Sequence, residues 1–468
     1  MSHASLPPPQ IRELPEPPRR IWPLIGPGIV AAGVGLASGE FILWPYIASQ
    51  VGLVLLWGAA MGIVTQWFIN MEIERYTLAT GETAITGFIR LWRHWGLVFA
   101  VMVYFANLWP GWATSSATML TYLVGGNVVA IAIGMLIAIG AALTLAPVVY
   151  VMLERVQFLK IIAVVTFIAL AALLVISRDA WAQLPRGLLH VGQIPPQLGF
   201  ALVMGAFAFA GAGGGQNLCQ SNWIRDKGFG MGCYVPRLVS PVTGEEMAAS
   251  TSGGFTFEPH AQNMSRWRGW WRMANIEQAA TFALISLLTI VFTSMIAYST
   301  VYGRPDLSQS VDFIRQQGEQ MRQQVGAGFD VLYWSIGTLS LFAAAMGIVD
   351  FTSRIGADVL KCTYLRNSRF SENRIYFALV WGLVGCGCAV LLLGMRQPLM
   401  LLIISSCVGG LMMCIYSLLL VLLNRRLLPA PIRITPLRIV LLLWATVLFG
   451  LLAVMTVRQQ MGILFGSG

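Results

Sequence analysis

The chain has 468 residues, of which 57% are hydrophobic and only 11% charged, and its formal net charge is +10. That balance excludes a soluble multi-domain protein, because apolar runs of about 20 residues, the length a bilayer-spanning helix needs, recur along it. The positive excess calls for no nucleic acid; membrane topology and anionic lipid headgroups account for it.

Residues 1–22 are Pro-rich and polar, without the apolar core or small-residue cleavage site of a signal peptide, and read as a disordered cytoplasmic tail. Eleven hydrophobic segments follow, near 25–51, 53–76, 96–118, 126–148, 157–177, 198–223, 275–302, 330–351, 375–395, 399–423 and 436–457. With the N-terminus inside, Arg12, Arg19 and Arg20, then Arg75, Arg90 and Arg93, then Arg155 and Lys160 fall on the cytoplasmic side. So do the basic residues from Arg225 to Arg272, from Arg354 to Arg374 and from Arg425 to Arg438. Of the 30 lysines and arginines only Arg178, Arg186, Arg304, Arg315, Arg322, Arg396 and Arg458 fall outside. A miscounted helix would swap every later loop, so the bias predicts eleven helices with the N-terminus inside and the C-terminus outside.

The first segment, "GPGIVAAGVGLASGEFILWPYIASQ" (26–50), carries several glycines and places Glu40 at mid-membrane. A charge there costs roughly 2.5–3.5 kcal/mol on insertion scales, so Glu40 should face a cavity, pair or be protonated. The sixth, "LGFALVMGAFAFAGAGGGQNLCQSNWI" (198–224), sets Gly211, Gly213, Gly214 and Gly215 directly before Gln216 and Asn217. Each glycine weakens a helix by about 0.8–1 kcal/mol relative to alanine, so a break is expected. A break is tolerated there only where it lines a cavity or meets protein partners. Tight helix packing is the bland alternative for one such segment. Two of them, at positions one and six, point to a transporter built from two inverted five-helix repeats, with its site where the breaks meet. The expected organisation is a first repeat at 23–177, an outer loop at 178–197, a second repeat at 198–424, and an eleventh helix with a tail at 425–468.

Two connections are long. Residues 225–273 form a cytoplasmic insert ending in "RWRGWWRMAN", where Trp267, Trp270 and Trp271 alternate with Arg266, Arg268 and Arg272. Nucleic-acid stacking is one reading of that pattern; an anchor at the headgroups is the better one. Residues 303–329 include "VDFIRQQGEQMRQQV", a short surface helix on the outer side. Glu277, at the start of the seventh helix, and Asp350, near the inner end of the eighth, are further coupling candidates beside Glu40. The seven cysteines show no CxxC pair and read as packing residues. His3, His94, His190 and His260 fall in tails or loops, leaving no histidine metal site or relay in a helix. Proton coupling would use carboxylates such as Glu40. No nucleophile pair or nucleotide loop supports an enzyme.

The chain resembles the Nramp (natural resistance-associated macrophage protein) family of divalent-metal carriers from about residue 22 to 456. The resemblance rests on "GPG" (26–28), "MGIVTQWFINMEIERYTLATGETAI" (61–85), "LERVQFLKII" (153–162), "NIEQAATF" (275–282) and "LFAAAMGIVDFTSRIGADV" (341–359). It implies a LeuT-type fold: an all-α polytopic membrane protein with a 5+5 inverted repeat, an eleventh helix, and helices one and six broken at mid-membrane. The family's first-break motif, Asp-Pro-Gly-Asn, is here Ala37, Ser38, Gly39 and Glu40. Its Met-Pro-His break corresponds to Gly214, Gly215, Gln216 and Asn217, and its polar tenth-helix position falls near Ser406.

Without the soft thioether, selective manganese or iron transport is disfavoured. An oxygen set of Glu40, Gln216 and Asn217 with the Ser38 and Ser406 hydroxyls suits a hard cation, Mg²⁺ foremost. The expectation is therefore a monomeric inner-membrane carrier moving Mg²⁺ by alternating access, with no resident cofactor. The competing cargoes are a small organic solute such as an amino acid, coupled to H⁺ or Na⁺, and Mn²⁺ or Fe²⁺ at an atypical site.

Overall fold

A computed structural model describes residues 6–18, 26–37, 39–239, 253–304, 312–394 and 398–465. Almost all of them are helical. In order come α1 (Pro27–Gly35), α2 (Trp44–Val51), α3 (Leu56–Thr80), α4 (Ala84–Leu91), α5 (Trp95–Asn107) and α6 (Gly111–Val124). Next are α7 (Val128–Leu145), α8 (Val149–Leu174), α9 (Arg178–Leu189), α10 (Phe200–Ala208), α11 (Gly215–Lys227) and α12 (Ala261–Glu277). Last are α13 (Leu284–Thr300), α14 (Phe313–Val325), α15 (Phe329–Val359), α16 (Glu372–Leu392), α17 (Pro398–Arg426) and α18 (Pro436–Phe465).

Nine stretches among the described residues are long and apolar enough to cross a membrane. The second and sixth expected segments are not among them, for different physical reasons. α3 has 25 residues, about 37 Å at 1.5 Å per residue, but carries Gln66, Asn70, Glu72, Glu74 and Arg75, all buried. It is enclosed by protein, packing on α10, α11, α12, α17 and α18, so Gln66, Asn70, Glu72 and Arg75 bond to protein groups rather than face lipid, while the Glu74 carboxylate is buried without a hydrogen-bond partner among the described residues. The sixth segment falls short because it is split into α10 and α11.

Burial separates the inner helices from the outer ones. Pro27 to Val51 is almost entirely enclosed, whereas α7 and α18 leave most of their surface open. Ile137 on α7, Leu159, Ile162 and Leu173 on α8, and Val440, Val447, Leu451 and Val454 on α18 are exposed. Against hydrocarbon such surfaces carry no penalty, so close packing rather than hydrophobicity selects the helix contacts. α15 supplies that closeness: Gly347 lies against Val34 of α1, and Gly337 against Met119 of α6.

The proline-rich segment expected to be a disordered tail is tied down over residues 6–18. β1 (Gln10–Ile11) pairs in parallel with β2 (Phe255–Thr256), and Leu14 is fully buried. The carbonyls that its prolines leave without local partners are served from afar. Arg90 donates to Pro7 O at 2.9 Å and Trp270 Nε1 to Pro15 O at 2.8 Å. Two tryptophans of the Trp/Arg run are likewise held within the protein. Trp267 and Trp270 are buried, and the Arg75 and Arg438 guanidinia lie 4.0 and 4.8 Å from the Trp271 ring. The run belongs to α12, which continues through a π-helical turn (Gln278–Ala283) into α13. The expected outer-loop helix is α14, which packs on α15, with Gly318 against Trp334 and Trp334 Nε1 donating to Ile314 O at 3.4 Å.

Candidate functional site

α1 stops at Gly35, and the chain resumes as a π-helical turn (Gly39–Leu43) leading into α2. The carbonyls near this end are met by side chains from other helices. Gln216 Nε2 donates to Ala31 O at 2.5 Å, Lys160 Nζ to Gly33 O at 2.5 Å and Ser340 Oγ to Leu36 O at 2.9 Å. The glycines here serve a close approach of backbones. A Cβ on Gly35 would fall on the carbonyl of Gly211, and one on Gly39 would lie 2.5 Å from Phe209 O.

The second break begins where α10 ends at Ala208. Gly211, Gly213 and Gly214 adopt φ of +112°, +84° and +84°, a region open to glycine and costly for L side chains. Gln66, from α3, bridges the gap. Its Nε2 donates to Phe207 O at 3.1 Å and Ala208 O at 2.9 Å, and its Oε1 accepts from Ala212 N at 3.0 Å. Asn217 Oδ1 accepts from Gly214 N at 2.9 Å, its Nδ2 donates to Asn70 Oδ1 at 2.7 Å, and Tyr416 donates to Gly214 O at 3.1 Å. Gln66→Leu strips Ala208 O and Ala212 N of their side-chain partner and leaves Phe207 O with the 3.4 Å bond from Ala210 N, and each unmet buried group costs about 1–3 kcal/mol. The variant should melt clearly below wild type in detergent; an unchanged melting temperature would mean that the break does not depend on α3.

Between the breaks lies a cavity of about 40 Å³, room for roughly two to four waters. α1 reaches it through Val34 and Gly35, and α11 through Gly215 and Gln216. Apart from Gln216, the polar side chains on its wall are those of Asn107 and Ser405; Met412 adds a thioether. Trp112, Phe209 and Phe351 line the rest with small aliphatic residues. None of the lining residues is acidic or basic, and no group of three or more His, Cys, Asp or Glu among the described residues could hold a metal.

The sequence candidates distribute unevenly around this cavity. Ala37 and Gln216 line it, whereas Glu40, Gly214, Asn217 and Ser406 do not; Ser38 lies outside the described residues. Glu40 is fully buried, with Oε2 accepting from Ala37 N at 3.2 Å. Asn217 is engaged in holding the second break. Ser406 Oγ donates to Ile403 O at 2.8 Å and sits where α17 meets Gly205, so its neighbour Ser405 faces the cavity instead.

The other two coupling candidates both make buried structural contacts, and Glu277 keeps its Oε2 without a hydrogen-bond partner among the described residues. Glu277 Oε1 accepts from Gly28 N at 2.8 Å, capping the start of α1 with a carboxylate, as a helix N-terminus favours. Asp350 is fully buried and does not reach an interface. It accepts from Arg354 Nε at 2.7 and 2.8 Å and from the Tyr376 hydroxyl at 2.6 Å, while Arg354 Nη1 also binds Asp226 at 2.5 Å. Sequence reasoning missed Gln66 and Asn70, although their i, i+4 spacing on a membrane helix is a visible signal. It also counted Lys160 among the cytoplasmic charges, whereas it is 1% exposed near the middle of α8.

With two broken helices at the centre of an all-helical, multi-span bundle, the architecture is the LeuT-type membrane-transporter fold. No protein-family model matches the chain, and no curated protein sequence does. Solved structures do. A manganese transporter from Eremococcus coleocola superposes with a TM-score of 0.70 over 98% of this chain and 91% of its own, at 13% identity. The nucleobase-cation-symport-1 family transporter Mhp1, closed with bromovinylhydantoin bound, gives 0.54 at 12% identity over 97% and 96%. MhsT in complex with L-phenylalanine gives 0.50 at 12% identity over 95% and 100%. These likenesses establish the fold.

Proposed function

We propose that the chain is a secondary transporter of a divergent Nramp-related branch, working by alternating access between two inverted repeats, and that its cargo is a small zwitterion such as a short-chain amino acid. The observation that carries this reading is the convergence of opposite helix ends on a cavity without charged side chains. The C-terminal end of α1 and the N-terminal end of α11 both line it. The first presents negative and the second positive partial charge, a pairing that suits an ammonium and a carboxylate. Mg²⁺ commonly asks for one or two carboxylates, and the cavity offers amides, a hydroxyl and a thioether instead. The inner-membrane placement with an inner N-terminus and outer C-terminus follows from the lysine and arginine bias and is part of the same proposal.

One observation favours the cation reading as the second choice. Glu40 Oε1 is buried with no hydrogen-bond partner among the described residues, and its neighbour Gly39 lines the cavity. A panel of labelled amino acids and divalent cations in proteoliposomes separates the two. Saturable uptake of a small amino acid is expected, reduced about tenfold in Gln216→Leu, since a bidentate polar contact is worth roughly 1–2 kcal/mol. Uptake of Mg²⁺ or Mn²⁺ lost in Glu40→Gln, with no amino-acid uptake, would overturn the zwitterion reading.

A further inference from the structure

The segment "LPPPQIRELPEPP" (6–18) lies on the surface and is held by backbone bonds on one side. Amides at every second residue point to the same edge. Gln10 N donates to Gly254 O at 2.9 Å, Arg12 N to Thr256 O at 2.8 Å and Leu14 N to Asn263 Oδ1 at 3.2 Å. The carbonyls that follow are met by side chains. Tyr234 donates to Glu13 O at 2.9 Å, Arg266 Nη1 to Leu14 O at 2.9 Å and Trp270 Nε1 to Pro15 O at 2.8 Å.

Side chains of the segment are read as well. Leu14 has no exposure and belongs to the same buried core as Phe255, Phe257, Trp267 and Trp270. The Pro17 ring packs on Gly269, where an added Cβ would come within 2.7 Å of it. Arg266 stands 3.7 Å from Glu13 and 3.4 Å from Glu16, and His260 stands 3.2 Å from Glu13. Asn263, Arg266, Trp267 and Trp270 follow one another at i, i+3, i+4 and i+7, so a single face of α12 does most of this work. At the other end of the segment, Arg90 of α4 adds the bond to Pro7 O.

Alternate amides on a strand edge and one anchoring side chain in a core are the means by which folded domains bind separate extended peptides. Six of the thirteen residues are proline, which fixes φ at about −65°. Little freedom is therefore lost on docking. With one buried anchor and its other residues at or near the surface, the segment can open without disturbing the helices beneath it.

We propose that β2, Tyr234 and the Asn263–Trp270 face of α12 form a peptide receptor, which residues 6–18 occupy as a detachable ligand in cis. The partner it fits is an extended proline-rich segment of another protein, with a leucine followed by proline and acidic residues. The tethered segment acts at an effective concentration on the order of millimolar, and so keeps the receptor closed to that partner until it is displaced.

The test is fluorescence anisotropy in detergent, with a labelled synthetic peptide of residues 6–18 as the probe. Two variants are compared with the intact chain: one shortened to begin after Pro18, and full-length Leu14→Asp, whose own anchor is spoiled. Both should bind the peptide at least about tenfold more tightly than the intact chain does. The peptide carrying Leu14→Asp should lose at least about tenfold on the shortened chain, since a buried leucine is worth roughly a factor of ten or more. Gly269→Ala in the shortened chain crowds Pro17 while favouring the helix, and should also weaken binding. Equal binding to intact and shortened chains would overturn the proposal, as would a folded shortened chain that binds no peptide or does not distinguish the Leu14→Asp peptide. Failure of both variants to fold would overturn it too, because a detachable ligand is dispensable for folding. No cargo enters the measurement, so its outcome is separate from that of the uptake panel.

Discussion

Gly35→Ala should leave little folded protein. The added methyl group lands on the carbonyl oxygen of Gly211, and a backbone oxygen held between two breaks cannot rotate aside as a side chain would. Overpacking a core with side-chain neighbours costs about 1–3 kcal/mol; backbone against backbone puts Gly35→Ala at or above the top of that range. Gly134→Ala on α7 is the matched control, because nothing lies within 4 Å of the added carbon. In that helix interior alanine should be neutral or stabilising, by up to about 1 kcal/mol. The pair is read by size-exclusion profile and melting temperature in detergent. If Gly35→Ala elutes and melts like Gly134→Ala, the two breaks do not touch as described.

Arg354→Leu is the second large effect. Arg354 is the cation between Asp350 and Asp226, all three fully or almost fully buried. Removing it leaves Asp350 without an ion-pair partner and Asp226 with only the 3.6 Å pair to Arg225, and breaking a buried pair in this way costs about 3–5 kcal/mol. The damage has a definite location. Asp226 is on α11, Arg354 and Asp350 on α15, and Tyr376 on α16, so the loss unties the inner half of the sixth segment from two long helices. Adding Asp350→Asn and Asp226→Asn removes both carboxylate charges and should restore part of the melting temperature. A triple variant no better than Arg354→Leu would show that packing, rather than charge, holds this corner.

The breaks were legible in the chain because glycine clusters have few uses in a membrane helix, and Gly211, Gly213 and Gly214 take the positive φ values that only glycine accepts readily. The helix order was legible from the apolar runs. The character of the site was not, for reasons of geometry. Glu40 stands beside Gly39, which lines the cavity, yet its own side chain turns to Ala37 and the α8 side. Ser405 and Ser406 are one residue apart, a rotation of about 100° on a helix, and only the first faces the cavity. The polar wall is completed by Asn107, far from either break in the chain, and no local pattern announces it. The segment 6–18 misled through composition. Its prolines remove local hydrogen bonding, but Arg90 and Trp270 supply the partners from elsewhere in the chain.

The polar interior of α3 has a consequence for anyone mapping which loops face which compartment. A count by length and apolarity skips α3 and the divided α10–α11 and arrives at nine crossings. Both nine and eleven are odd, so the two counts put the chain ends on the same pair of sides. They differ only between the skipped elements, where every connection from α4 to α9 is turned inside out. Reporter tags fused to the termini therefore read identically under either count. Impermeant labels must be placed in the stretch around His94 and again near His190, which the eleven-crossing chain sends to opposite faces and the nine-crossing one exchanges.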